Sequence, residues 1–312
     1  MISAQATSLG VAGDALEELW FGEDDPAQSR SAASHSLAEQ MARIQVLRPF
    51  PVAAARLIRL LSDPGFDQRE VVAVLESDPG LAAKTFAVAN SPLFRGRVAC
   101  NDLDTVIKRL GARNLRDVAI GVSAMSMFSD ATGVGVTLRD HCVGVGAVAR
   151  ILADLAAPSS ASTLFLAGLL HDAGKLLLIQ TGELSYEGEA FAIEETQILE
   201  RELLGYDHAV LGGNVMKLWR IPDPVSDVVA WHHQPGRAIE HGGEVAVTVA
   251  LLRAADRIDE LLTHHEELDD ACLHFVVDDV AWSYADLGAG DLRQLWPIMR
   301  EARRETLAAL GT

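Results

Sequence analysis

The chain has 312 residues, 49% of them hydrophobic but only 5% aromatic, so aliphatic side chains must fill one large core or two ordinary ones. Its formal net charge of −18 argues against nonspecific binding to nucleic acid or to an anionic membrane surface, since phosphate contact needs clustered Lys and Arg. A small phosphorylated ligand stays open, because a local cation can invert the field.

Residues 1–36 mix Ser, Gly, Ala and acids around one apolar knot at Leu19, Trp20 and Phe21, and read as an acidic, mobile leader. They lack the basic start and apolar core of a secretory signal, and no run of about 18 uninterrupted apolar residues follows. The expectation is a soluble, cytoplasmic protein with no membrane partner. Cys100, Cys142 and Cys272 are far apart, show no CxxC spacing, and read as small core fillers in a reducing compartment.

From Leu37 the pattern is helical. "PFPVAAARLIRLLSDP" places Ala53, Leu57, Leu60 and Leu61 on one face and stops at Asp63-Pro64-Gly65. Two short helices follow, the first capped by Asp67 with Glu70 three residues on, the second by Asp78 with Pro79 at its start. "DLDTVIKRLGARNLRDVAIGVSAMSMF" supplies another pair broken at Gly111. A Gly-rich break, "SDATGVGVT", precedes a second helical half with helices starting near Leu138, Leu164, Ile193, Asp207, Pro224 and Glu244. One more amphipathic helix closes the tail. Only "LHFVVDDVAW" tempts a strand assignment, so the fold class is all-α, a multi-helix bundle.

Within "LFLAGLLHDAGKLLLIQ", His171, Asp172 and Lys175 interrupt an oily run. An unpaired charge in a protein interior costs on the order of several kcal/mol, so partners must come from elsewhere in the chain. His141 precedes Val145, Val148 and Leu152 at helical spacing and shares their inward stripe. His208 follows Asp207, a natural N-cap, on a helix carrying Gly212-Gly213, which cost stability unless another backbone approaches closely. His232-His233 end the helix that begins at Pro224. Asp256 sits at the edge of an apolar arc, with Arg253 or something deeper as its partner.

Taken singly, each has a structural explanation: a satisfied core histidine, a surface ion pair, a wet helix end, a snorkelling lysine. His35, His241, His264, His265 and His274 stand in polar or irregular stretches and read as surface residues. Taken together, one cation site would neutralise Asp172 and Asp256 and gather His141, His171, His208, His232 and His233. Imidazoles and carboxylates without thiolate suit Fe, Mn, Ni or Zn, and so many donors point to two divalent ions about 3.5–4 Å apart.

The set "H…HD…D", formed by His141, His171-Asp172 and Asp256, resembles the signature of the HD superfamily of metal-dependent phosphohydrolases. With "HDAGK", His208 and "HH" it is similar to the HD-GYP cyclic-dinucleotide phosphodiesterases. The stretches "ESDPGLAAK…ANS" and "ERELLGYDHAVLGGNVMKLWRIPDPVSDVVAWHHQP" resemble the HDOD (HD-related output) domain of bacterial signalling proteins over residues 37–262. That resemblance implies an N-terminal helical half over 37–135, an HD-like metal-binding half over 136–262 and a C-terminal extension over 263–312. It further implies that His141, His171 and Asp256 serve one ion, that His208, His232 and His233 serve the other, that Asp172 bridges both, and that Lys175 reaches a phosphate oxygen. Asp172 and Lys175 would be the catalytic pair of any hydrolase.

Many HDOD members have lost such ligands; here every position is filled. Yet "GRAIEHGG" stands after "HHQP", where HD-GYP proteins carry an Asp-Gly-x-Gly-Tyr-Pro loop. The resemblance therefore implies a signal-transduction output protein, regulatory through a signalling protein partner or a ligand. Its alternative is a metal-dependent phosphohydrolase or phosphodiesterase acting on a nucleotide or cyclic dinucleotide.

Overall fold

Helix follows helix in a computed structural model that describes residues 30–47, 50–94, 96, 98–126, 133–184, 186, 196–235, 238 and 243–310. Among the described residues there is no strand. Of the expected acidic leader over 1–36, residues 1–29 lie outside the described ones, as does His241. The helix α1 starts at Arg30 and ends at Leu47 (Arg30–Leu47).

The N-terminal half contains α2 (Val52–Leu61), α3 (Gln68–Glu76), α4 (Pro79–Asn90) and α5 (Leu103–Ser126). Asp67 accepts from the Arg69 N–H and Asp78 from the Leu81 N–H, so both sequence-read caps form. α5 is two helical segments meeting at Gly111, whose φ of +68° is costly for any residue with a Cβ. On α2 the buried face is Ala54, Leu57, Ile58 and Leu61; Ala53 and Leu60 flank it, half-buried. Asn90, from the "ANS" stretch, accepts from the Cys100 N–H at 2.8 Å and donates to the Cys100 carbonyl at 3.2 Å, stapling the connection to α5.

In the second half, α6 (Gly133–Ala156) is the axis: α7 (Ala161–Leu170), α12 (Gly243–His264) and α15 (Ala289–Leu310) all pack on it. Gly133 to Val136, read as a break, belong to its first turn, so His141 lies eight residues into the helix rather than at its start. The oily run from Leu164 is two helices, α7 and α8 (Ala173–Thr181), joined at His171-Asp172. α9 (Thr196–Leu204), α10 (His208–Leu218) and α11 (Asp223–Trp231) follow, with α10 against both α8 and α11. "LHFVVDDVAW" is helical, split between α13 (Asp270–Val277) and α14 (Val280–Tyr284), because Asp279 accepts from the Ala281 N–H and caps the second.

Aliphatic side chains form one large core through both halves, and Cys100, Cys142 and Cys272 are buried free thiols. A smaller core, including Ile44, Leu177, Leu178, Leu211 and Val215, lets α1 lie over α8 and α10. Residues 158–181 are apolar and long enough to span a membrane, but nearly all are buried among other helices.

Two glycines let the helices around His208 close up. A Cβ on Gly174 would sit 2.0 Å from the His208 carbonyl oxygen, and one on Gly213 would sit 2.6 Å from the Ala230 Cβ and 2.8 Å from the Ser226 carbonyl oxygen. Gly212, paired with Gly213 in the sequence reading, makes only ordinary contacts. Gly174→Ala therefore meets immovable backbone, and denaturant unfolding should show a loss of about 3 kcal/mol. An unchanged midpoint would refute the α8–α10 contact.

Candidate metal centre

The break between α7 and α8 carries two of the expected donors into the interior: His171 and Asp172 are each 1% exposed. Asp172 takes the N-cap position of α8 but caps nothing with its side chain. Its carboxylate faces inward instead. Lys175, one turn on, donates to Asp172 Oδ2 at 2.8 Å. From the start of α10, His208 Nε2 lies 3.0 Å from Asp172 Oδ1.

Across from them, α11 ends at Trp231 and its last turn hands over to His232 and His233, whose rings lie 3.9 Å apart, centroid to centroid. On the open side, His141 from α6 places Nε2 3.0 Å from Asp256 Oδ1 of α12. Arg253, the other candidate partner of Asp256, pairs with Asp279 at 3.1 Å. One donor atom from each of Asp172, His208, His232 and His233 falls within 4.8 Å of the others, and the same holds for His141, His171 and Asp256. Asp172 stands between the two groups, its Oδ2 3.6 Å from His171 Nε2. All seven expected donors thus converge, in the two groupings that the resemblance implied.

The ring orientations tell more than proximity does. His171 donates from Nδ1 to the Gly168 carbonyl (2.8 Å) and His232 from Nδ1 to the Val229 carbonyl (2.7 Å), each three residues back along its own helix. His208 gives Nδ1–H to Glu200 Oε2 at 2.7 Å, and His141 gives Nδ1–H to Asp259 Oδ2 at 3.0 Å. With Nδ1 committed as donor, the neutral His171 and His232 present an Nε2 lone pair toward the centre, and His141 and His208 would do so once Nε2 gives up its proton, which is how protein imidazoles are set for metals. His171 Nε2 and His232 Nε2 are buried without a hydrogen-bond partner, and Asp172 Oδ1 has His208 Nε2 3.0 Å away. His208 Nε2 and His233 Nε2 face each other at 2.9 Å, where two lone pairs would repel unless a proton or cation stood between them. Buried acceptors left unpaired cost on the order of 1–3 kcal/mol each, so such a cluster fits a bound cation.

The protonation pattern divides the rings into two kinds. Burial, reinforced by neighbouring imidazoles, pushes His232 down to about 3 and His233 well below its ordinary value, so both are neutral donors. Burial likewise depresses His171. Burial also disfavours the imidazolium at His141, but Asp256 and Asp259 outweigh it and raise the group to about 10. At His208, burial and Lys175 are outweighed by Asp172 and Glu200, giving about 9. Burial would raise Asp172; Lys175, His171 and His208 overcome it and hold the carboxylate well below the usual range.

Sequence reasoning missed two supporting acids. Glu200, 1% exposed, accepts both the backbone N–H and the Nδ1–H of His208 and takes the Tyr186 hydroxyl at 2.6 Å on its other oxygen. It sits eight residues before His208 across a turn, a spacing with no helical meaning. Asp259, fully buried, supports His141. Its place one turn beyond Asp256 on α12 was the available signal. His265, Asp269 and Cys272 also come together, but Asp269 is already the N-cap of α13 and His265 and Asp269 are exposed. His264 and His274 are exposed, as read from sequence.

Comparison with known proteins decides the family, for the HDOD domain matches residues 47–235. The chain belongs to the HDOD family. Its fold is similar to an HDOD domain protein of unknown function from Geobacter sulfurreducens, with a TM-score of 0.65 and 22% identity over 88% of this chain and 98% of that one. A candidate phosphohydrolase from Shewanella amazonensis SB2B superposes with a TM-score of 0.67 at 20% identity, covering 90% and 99%. A candidate signal transduction protein from Marinobacter aquaeolei VT8 gives 0.61 at 21%, covering 92% and 68%. An uncharacterized Treponema pallidum (strain Nichols) protein is 23% identical over 242 residues, 75% of this chain and 46% of its own length. The HDOD chain thus spans about half the length of the curated relative it matches.

Replacing Lys175 with Met should expose the electrostatic debt of Asp172. Unfolding in the presence of chelator should show a loss of about 3 kcal/mol, since removing one member of a buried ion pair strands the other. Saturating divalent cation should recover much of it, and a variant as stable as the parent in chelator would mean that other groups balance the carboxylate.

Proposed function

We propose that this HDOD protein is a signal-output regulator built around a two-cation centre, whose occupancy sets the state that it presents to a signalling partner. Two buried imidazole nitrogens without a partner, His171 Nε2 and His232 Nε2, on either side of the buried Asp172 carboxylate carry the reading. His208, His232 and His233 would hold an inner ion, His141, His171 and Asp256 an outer one, with Asp172 shared. Nitrogen and carboxylate donors without thiolate suit Fe, Mn, Ni or Zn.

The two positions differ in access. His208 and His232 are 1–2% exposed with His233 half-buried, whereas the outer set, although His171 is buried, includes His141 and Asp256 with side chains 25% and 32% exposed. The inner set is partly preorganised: the Nδ1 groups of His208 and His232 are already fixed, and His232 and His233, unlike His208, need no deprotonation. The outer set opens to solvent and is where a ligand could enter. Because ions held by the native state alone stabilise it by mass action, occupancy would couple to the stability of α7, α8, α10 and α11 together.

A second reading, a metal-dependent phosphohydrolase, is favoured by Lys175 beside Asp172 and by the open His141–Asp256 rim. Bound cations would supply Lewis acidity toward a phosphoryl oxygen and a more acidic water. Lys175 would balance phosphoryl charge, and Asp172, kept ionised, would hold its place between the donor groups. A phosphorylated small molecule such as a nucleotide or cyclic dinucleotide is the ligand class for either reading.

Elemental analysis of the purified protein should find about two divalent ions per chain, and Asp172→Ala should lose both. Incubation with nucleotides, cyclic dinucleotides and a generic phosphodiester separates the readings: turnover abolished by Asp172→Ala establishes the hydrolase, while bound metal with no turnover supports the regulator. A metal-free protein of normal stability would sink both.

Cation uptake should also depend on pH. His141 and His208, with pKa values raised to about 10 and about 9, carry protons at pH 7 in the metal-free protein and must release them to donate through Nε2. Affinity should therefore rise between pH 6 and 9, with up to about two protons released per filled centre, readable by calorimetry in buffers of different ionisation enthalpy. Binding without proton release would show that these two imidazoles are not ligands.

A further inference from the structure

His141 is held from behind by a chain of contacts that ends on the C-terminal helix. Its Nδ1–H donates to Asp259 Oδ2 at 3.0 Å, and the other oxygen of that fully buried carboxylate accepts from Arg303 Nε of α15 at 2.7 Å. Arg303 Nη2 also donates to Thr263 Oγ1 at 2.8 Å, so the guanidinium bridges two turns of α12. The pair reaches His141 through a notch in α6: a Cβ on Gly144 would sit 1.8 Å from Asp259 Oδ1 and 3.0 Å from Arg303 Nε. Gly144 lies three residues beyond His141, on the same side of the helix. A buried carboxylate needs a cation, and α15 brings it. The same helix packs against α4, where Lys84 donates to the Leu310 carbonyl at 3.5 Å, so α15 touches both halves of the bundle.

We propose that Asp259 and Arg303 are positioning residues for the outer cation, and that cation binding at His141, His171 and Asp256 and docking of α15 on α6 strengthen one another. The inference rests on the two-cation reading above. Asp259 fixes both the tautomer and the rotation of the His141 ring, which aims Nε2 at Asp256. Arg303 fixes Asp259. Loosening α15 would free the carboxylate to follow the guanidinium or to turn toward solvent, and His141 would lose its aim. By thermodynamic reciprocity, an ion that holds His141 in place holds α15 too. The C-terminal helix would then carry the state of the centre to the N-terminal half through α4.

The test uses the full-length chain with Zn²⁺ as the probe, followed by calorimetry, by the visible spectrum of a Co²⁺-substituted sample, and by hydrogen exchange. Arg303→Met should keep the inner ion and weaken the second by roughly 10- to 100-fold, the range for loss of a group that orients a metal ligand. Arg303→Lys should recover part of that loss, because it restores charge but not the fork that spans Asp259 and Thr263. Arg304→Gln, which removes only ion pairs to Glu301 and Glu305, should titrate like the parent. In the unmodified protein, amides of residues 299–306 should exchange more slowly with Zn²⁺ than without it, a measurement that needs no variant to fold. Two equal ions in Arg303→Met, or α15 exchange indifferent to Zn²⁺ in a parent that binds two ions, would overturn this inference and leave the two-cation reading intact. A parent that takes up no cation would overturn both.

Discussion

A carboxylate with almost no access to water, Asp172, is the constraint around which the rest is arranged. Ionised groups survive in such a place only with partners close by. Lys175 supplies one on the same helix turn and His208 approaches from α10, yet Oδ1 has no well-aligned donor and the Nε2 atoms of His171 and His232 are likewise unsatisfied. A purely structural ion pair would close this account with hydrogen bonds. The site instead points unshared lone pairs at a common space. That arrangement is costly in a metal-free fold and favourable once a cation enters.

The surrounding helices make sense in those terms. Each candidate donor sits at a helix end or on a helix flank, and the rings of His141, His171, His208 and His232 are locked from behind by a carbonyl or a carboxylate. Gly174 and Gly213 permit the close approach that brings His208 beside Asp172 and α11 beside α10, while Glu200 and Tyr186 form the buried support of His208. Rigidity would serve the proposed centre, because a donor displaced by an ångström no longer shares an ion.

The HDOD fold is shared with proteins described as a candidate phosphohydrolase and as a candidate signal transduction protein, and fold alone does not choose between binding and chemistry. In this chain all seven candidate donors are present, His171, Asp172, His208 and His232 are buried, and the cluster opens at His141 and Asp256. Both the regulatory and the hydrolytic reading draw on that asymmetry. They differ in whether a phosphorylated ligand is held or cleaved.

Much of this was legible in the residues themselves. Helical periodicity, the Asp67 and Asp78 caps and the break at Gly111 announced an all-α bundle, since these signals depend on neighbours a few positions away. The seven donors were legible too, because charged and imidazole groups inside apolar helical stripes demand partners wherever the chain finds them. The split of the oily run into α7 and α8 at His171-Asp172 was not, for nothing local marks a break between Leu170 and Ala173. Glu200, Asp259 and Arg303 were hidden for a related reason: their roles come from helices meeting across 8, 118 and 44 positions of chain. Sequence by itself determined which residue types had to be neutralised and on which helices they stood. Only the tertiary structure decided which nitrogen of each ring faces the centre and which acid stands behind it, because those choices follow from the packing of distant helices.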